Sequence, residues 1–173
     1  MTNNYVLDAD VFIDAKNRHY GMDICPGFWQ WLLRMRQADR VISIKAVSDE
    51  LCQRPTDEDD EDELSKWVKS EGSCLFLPPD PQLTAKLPGV ATWAQNHPRY
   101  RPAAVSSFFG GADFYLVGFA LAHGHIVVTH EKSAPDSLSR IKIPDACSAM
   151  GVRCINTFDM LRAEGARFVL DPP

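Results

Sequence analysis

At 173 residues the chain is long enough for one domain with a real hydrophobic core, and its 45% apolar content is that of a globular protein rather than a disordered or fibrous one. Residues 1 to 10 lack the basic and apolar regions of a signal peptide, and no apolar run approaches the ~20 residues needed to span a bilayer, so the expectation is a cytoplasmic protein with no membrane partner. The net charge of −5 argues against a nucleic-acid binder until its distribution is read: Asp57 to Glu63 are seven consecutive acids, and without them the remainder carries a net +2.

Tyr5-Val6-Leu7 reads as a buried strand, and residues 10 to 17 as a short helix. A loop from Arg18 to Cys25 leads into a helix over Pro26 to Asp39, with Pro26 near its start and Phe28, Trp31, Leu32 and Met35 on one stripe. Val41 to Ile44 is a second strand, and Ala46 to Gln53 a helix that carries Glu50. After the acidic run, Leu64 to Ser70 is a polar helix and Cys74 to Leu77 a third strand. Pro81 to Asn96 reads as helical with a break at Pro88-Gly89. Residues 97 to 110 read as a loop, and Gly110-Gly111 opens a helix over Ala112 to His123. Ile126 to Thr129 and Val152 to Ile155 are strands four and five, and a last helix spans Thr157 to Ala163. Alternating strands and helices predict a parallel sheet covered on both faces, with residues 1–173 forming one domain.

Five cysteines, an odd number with no C-x-x-C pair, exclude a disulfide framework or a structural zinc site as the organising device. Free thiols are expected, although Cys147 and Cys154 are positioned to meet. The histidines form no ligand set. His123 and His125 flank Gly124 at a turn, and His130 stands beside Glu131.

Chemistry concentrates in acids. Asp8 ends the first strand, at the carboxyl edge where α/β folds place ligands. Asp10 follows at once. Asp113 and Glu131 also lie at a helix start or strand end, and Glu50 lies in the helix after strand two. Each has a structural alternative: Asp8 or Asp10 as a helix cap, Asp113 as a first-turn acid favoured by the helix dipole, Glu50 and Glu131 as surface residues. Brought together, acids from distant segments repel one another and need a cation. Hard oxygen ligands suit Mg²⁺ or Mn²⁺, and such a site clamps the oxygens of an in-line displacement at phosphorus.

These residues resemble a known family. Tyr5-Val6-Leu7-Asp8-Ala9-Asp10-Val11-Phe12-Ile13 is similar to the opening motif of PIN-domain nucleases, Val47-Ser48-Asp49-Glu50-Leu51 to their second acidic motif, Ala112-Asp113 through Ala120 to the third, and Ile126-Val127-Val128-Thr129-His130-Glu131 to the fourth. The stretch from Ala15-Lys16-Asn17-Arg18 to Cys25-Pro26-Gly27-Phe28-Trp29 resembles a bacterial PIN subfamily found in toxin–antitoxin-like gene pairs. The resemblance implies a three-layer α/β/α fold with a mostly parallel sheet of about five strands. It implies a metal-dependent endoribonuclease with Asp8, Glu50, Asp113 and Glu131 as catalytic residues around Mg²⁺ or Mn²⁺, and the toxin role implies an antitoxin protein as partner. The family usually has Asn where Asp10 stands and Asp where Glu131 stands.

On this reading Asp10 serves beside the metal or as a helix cap. Lys16, Arg18, Lys132, Arg140 and Lys142, which flank the acids in sequence, are candidates for RNA-backbone contacts that position a strand without specifying its bases. Tyr100, between Arg99 and Arg101, is a candidate for stacking on a base. The aromatic start of the Pro26 helix is expected in the core, with residual apolar area offered to a homodimer or an antitoxin helix.

Two alternatives come from other classes. Asp8-Ala9-Asp10-Val11 also matches the opening of haloacid-dehalogenase-like phosphatases, with Asp8 as nucleophile and Val127-Val128-Thr129 similar to their second motif. Strand five, however, ends at Asn156 rather than at a paired acid, and Asp145 follows Pro144 in what reads as a loop. The second alternative is a non-catalytic binding module docking a basic partner on the acidic run. That run is no EF-hand calcium loop, because the sixth residue from Asp57 is Asp62 and not Gly.

Overall fold

The computed structural model describes residues 4–53 and 62–169. Five short strands form its centre: β1 (Tyr5–Leu7), β2 (Val41–Ile44), β3 (Phe76–Leu77), β4 (Ile126–Val128) and β5 (Cys154–Ile155). Their spatial order is β3-β2-β1-β4-β5, and every neighbouring pair is parallel. β1, β2 and β4 are buried along their whole length, as expected of apolar runs covered on both faces.

The helices are α1 (Ala9–Asp14), α2 (Pro26–Gln37), α3 (Lys45–Cys52), α4 (Glu63–Lys69), α5 (Pro81–Asn96), α6 (Pro102–Gly110), α7 (Ala112–His123), α8 (Ile143–Met150) and α9 (Thr157–Ala163). With the sheet between them they make the three-layer α/β/α arrangement that the sequence predicts. Among the described residues no single helix is long and apolar enough to cross a bilayer.

The chain runs outward from β1 to β2 and β3, then returns to lay β4 against the other side of β1. The connection direction therefore reverses between β1 and β4. Such a switch point opens a crevice at the carboxyl ends of the two strands. Asp8 and Thr129, the first residues beyond β1 and β4, stand at its lips.

Several elements differ from the sequence reading. α6 replaces the expected loop over 97 to 110. Pro102 occupies its first turn, where the missing N–H costs nothing, and Ala104 and Phe108, one turn apart, are buried. α8 replaces the loop around Asp145 by the same device: Pro144 sits in the first turn and Ile143, Ala146 and Cys147 form the buried stripe. α5 is not broken at Pro88-Gly89. Both residues are exposed, while Leu83, Val90 and Ala94 anchor the helix in the core. α1 starts at Ala9 and continues as a π-helical turn over Ala15–His19, which shortens the expected loop. α2 stops at Gln37, and Asp39 takes a left-handed conformation at φ 52°. The third strand is only Phe76–Leu77, preceded by a 3₁₀ turn over Glu71–Leu75.

α5 and α7 approach closely at Gly118. A Cβ there would stand 2.7 Å from Leu87 Cδ2 and 3.0 Å from Leu83 Cδ1. α7 ends at Gly124, whose φ of 68° delivers the chain into β4. At the aromatic end of α2, Phe28 and Trp29 are buried as expected, with Tyr20 stacked on Phe28 at 4.5 Å and Phe168 edge-on to it. Ile24 and Val169 remain exposed nearby in sequence to these rings. Of the acidic run, Asp57 to Glu61 lie outside the described residues. Asp62 forms an ion pair with Lys16, and Glu63 opens α4.

Candidate active site

β1 is three residues long, so Asp8 leaves the sheet while still 95% buried (5% exposed). It caps α1: its Oδ1 accepts the Ala9 N–H at 2.7 Å. Its backbone N–H continues the sheet to Val128 O at 3.0 Å. Across the crevice, Thr129 Oγ1 lies 2.8 Å from Asp8 Oδ2 and 2.9 Å from Asp10 Oδ2. A hydroxyl has one proton, so Thr129 serves one carboxylate at a time. Its own oxygen accepts the Glu131 N–H at 3.1 Å, and the His130 N–H donates to Asp10 Oδ2 at 2.8 Å. Asp10 Oδ1 is buried and has no hydrogen-bond partner.

Acceptors thus outnumber donors in a place water reaches poorly, and ionisation becomes costly. Burial raises the Asp8 pKa well above the ordinary carboxylate value, and the charges of Asp10 and Asp113 push it further; Thr129 and the Ala9 N–H oppose this. Burial also raises Asp10. Asp113, in the first turn of α7, is pushed up to about 6 by burial and then by Glu131 and Glu50, against the pull of Arg140 and Lys142.

Asp8, Asp10, Glu50, Asp113 and Glu131, delivered by β1, α1, α3, α7 and the turn after β4, line one cleft of about 620 Å³. Glu50 is exposed at its wall. Glu131 has a second duty: Oε1 accepts from Lys142 Nζ at 2.6 Å and Oε2 from the Ile143 N–H at 2.9 Å, which satisfies the first turn of α8.

Among the described residues no three His, Cys, Asp or Glu side chains are drawn tightly enough together to chelate a metal ion. The donor set nonetheless fits a hard divalent ion. Mg²⁺ keeps several of its waters and takes one or two carboxylates alongside substrate phosphate, and a surplus of buried carboxylate oxygen with an orphaned Asp10 Oδ1 is what such an ion neutralises.

The basic candidates separate. Arg140 lines the cleft, and Lys142 reaches it through Glu131. Lys16 is committed to Asp62, and Arg18 lies 3.5 Å from Asp14. Lys132 is exposed on a second cavity of about 480 Å³, on the other side of Glu131, with His130, Asn156 and Phe158. His130 Nε2 contacts Thr157 Oγ1 at 2.9 Å and does not line the acidic cleft. His123 pairs with Asp80 at 2.8 Å, consistent with a structural role. Tyr100 stacks on His97 at 4.1 Å, so one ring face is already covered.

Thr129 is the residue that sequence reasoning missed as part of the site. Its signal was a lone hydroxyl closing an otherwise apolar buried strand. The late acid of the phosphatase alternative is also placed: Asp145 accepts from Ser133 Oγ and, at 2.9 Å, from the Ala134 N–H, and it does not line the cleft. Asn156 caps α9 through the Asp159 N–H at 2.9 Å. Cys147 and Cys154 are neighbours but free thiols, and the contact with Cys154, together with burial, raises the Cys147 pKa.

A family model described as "Domain of unknown function (DUF4411)" matches residues 5–168. The chain belongs to the DUF4411 family. No curated protein matches the chain. Among solved structures, this DUF4411 chain is similar to FitAcB from Neisseria gonorrhoeae, with 16% identity and a TM-score of 0.56, over 89% of this chain and 98% of that one. FitAB bound to an IR36 DNA fragment matches at 17% identity and 0.54, over 88% and 94%. VapBC2 from Rickettsia felis, bound to a DNA fragment from their promoter, matches at 14% and 0.51, over 78% and 95%. The DUF4411 chain therefore has a PIN-like fold, as its four acidic motifs predict.

Proposed function

We propose that this chain is a metal-dependent endoribonuclease of the PIN type and the toxin half of a toxin–antitoxin pair. One observation carries the reading: five carboxylates from four segments of the chain line one cleft at the β1/β4 switch point, Asp8 buried and Asp10 half-buried around a single hydroxyl. The fold of the chain and its likeness to FitAcB and VapBC2 support it.

Asp8 and Asp113 are the residues proposed to hold Mg²⁺ or Mn²⁺, with Asp10 Oδ1 available as a further oxygen. The bound ion lowers the pKa of water and offsets charge on the phosphodiester. The rest falls to the chain. Thr129 and the Ala9 N–H fix the Asp8 carboxylate in one orientation. Glu50, exposed at the cleft wall, accepts the proton of the attacking water. Arg140 faces the phosphate and offsets charge building on its oxygens. Glu131 completes a second metal position only by releasing Lys142 and Ile143; otherwise it positions the α8 end of the cleft. Neutralisation by an antitoxin, and a DNA-bound assembly like those of the two-component neighbours, follow as the proposed biological setting, in the cytoplasm.

The test is cleavage of RNA by the wild-type protein with Mn²⁺ or Mg²⁺, with chelator, and beside Asp8→Asn. The expected result is cleavage that both chelator and Asp8→Asn abolish while the variant stays folded. Full cleavage by folded Asp8→Asn would overturn the site. Phosphate release from small phosphomonoesters with an acyl-phosphate on Asp8 would favour the phosphatase, and binding without turnover the non-catalytic module.

A further inference from the structure

α3 and α7 supply acids to the cleft, Glu50 from one and Asp113 from the other. Together with the ends of β2 and β3 the same two helices line a second, mostly apolar pocket of about 310 Å³ next to it. Its walls are Ile44, Leu77, Pro79 and Tyr115, and Lys45 and Asp49 stand at its rim. Ala46, Asp49 and Tyr115 line both cavities, so the two adjoin. Tyr115 is two residues after Asp113, and Asp49 directly precedes Glu50. A group seated in the pocket therefore lies beside the acids of the cleft.

The chemistry of the walls specifies the occupant. Apolar surface flanked by a half-buried tyrosine ring suits a flat, apolar-faced body. The only ring contact of Tyr115 among the described residues is the edge-on one with Phe114, centroids 5.3 Å apart. Base–aromatic stacking is the common way proteins hold single-stranded RNA. Lys45 and Asp49, one turn apart on α3, form an ion pair of 2.6 Å beside the pocket. Every base carries a donor beside an acceptor on its edge, so this pair accommodates a base without choosing among them.

We propose that this pocket is a base subsite of the ribonuclease, with Tyr115 as the platform on which the base of an RNA strand held in the acidic cleft stacks. The proposal rests on the ribonuclease reading for its substrate, and its test separates the two. Short single-stranded oligoribonucleotides, and the same oligomers with one internal abasic position, are titrated against the Asp8→Asn protein with Mg²⁺, reading fluorescence anisotropy; the same set is offered to the wild-type enzyme for cleavage. Tyr115→Ala is expected to weaken binding and lower kcat/KM about 5- to 150-fold, the range of one lost stack, and Tyr115→Phe to retain both.

If the wild type cleaves RNA yet Tyr115→Ala, verified as folded by circular dichroism, binds and cleaves as before, the subsite is wrong and the nuclease stands. If the protein binds the oligomer through Tyr115 but cleaves nothing, the subsite stands and the nuclease falls. Equal affinity for the base-bearing and the abasic oligomers overturns the subsite. Absence of both binding and cleavage overturns subsite and nuclease together.

Discussion

The Thr129 hydroxyl lies 2.8 Å from Asp8 Oδ2 and so ties together the ends of β1 and β4, two strands 121 residues apart in sequence. That bond opposes the burial that makes Asp8 hard to ionise. Removing it leaves a buried carboxylate short of a donor and held by the Ala9 N–H alone. Thr129→Val keeps the shape and deletes only the hydroxyl. It is expected to weaken metal affinity or activity about 10- to 100-fold, as loss of a group that orients a ligating carboxylate does. Metal titration and RNA cleavage on the same preparation check this, and an unchanged metal dependence would count against Asp8 as a ligand.

Charge crowding also predicts a pH dependence. Asp113 titrates near 3.8 when unfolded and at about 6 in the fold, so the native state binds more protons between these values. Stability of the metal-free protein therefore falls as pH rises from about 4 to about 6, by roughly 3 kcal/mol if Asp113 acts alone. Asp8 and Asp10, raised in the same direction, add to the slope. Thermal unfolding in chelator across this window is expected to show a declining Tm, a flatter profile in Asp113→Asn, and recovery on adding Mn²⁺. A Tm that climbs through the window would contradict the electrostatics of the cleft.

What the sequence disclosed follows from locality. β1, β2 and α9 are bounded by sharp changes in pattern, and their limits match the structure because a short buried run or a capped helix needs no distant information. α6 and α8 were hidden because residues 97 to 110 and the stretch around Asp145 read as loops, although Pro102 and Pro144 sit in first turns where proline is welcome. That omission propagated to the site. The hydrogen bond from Ile143 to Glu131 exists only because α8 does, so the second duty of Glu131 could not be foreseen. Asp8 was visible as an acid at a strand end, Asp113 as one at a helix start and Glu50 as one in the helix after β2. Thr129 was not, since its role depends on which strand lies next to β1.

Glu131 offers a separation of structure from chemistry. Both its oxygens hold the first turn of α8, through Lys142 and the Ile143 N–H. Glu131→Ala is expected to cost about 1–2 kcal/mol, the scale of a lost cap. Glu131→Gln keeps an acceptor for Ile143 but not the ion pair, and is expected to recover most of that stability. Denaturant unfolding gives the stabilities and cleavage rates the activities. If Glu131→Gln is as stable as wild type yet inactive, Glu131 acts on the metal rather than on α8.

Gly118 tests the packing that aims α7, and with it Asp113, at the cleft. Alanine there gains about 1 kcal/mol of helix propensity over glycine. Its Cβ meets the tips of two leucines, of which Leu87 is half-buried and able to swing, while Leu83 is 2% exposed and confined. Gain and crowding nearly offset, so Gly118→Ala is expected within about 1 kcal/mol of wild type, whereas Gly118→Leu drives more volume between α5 and α7 and is expected to cost about 1–3 kcal/mol or more. Urea unfolding of the two variants decides it: if leucine is tolerated as well as alanine, the helices are not packed this closely and the position of Asp113 rests on something else.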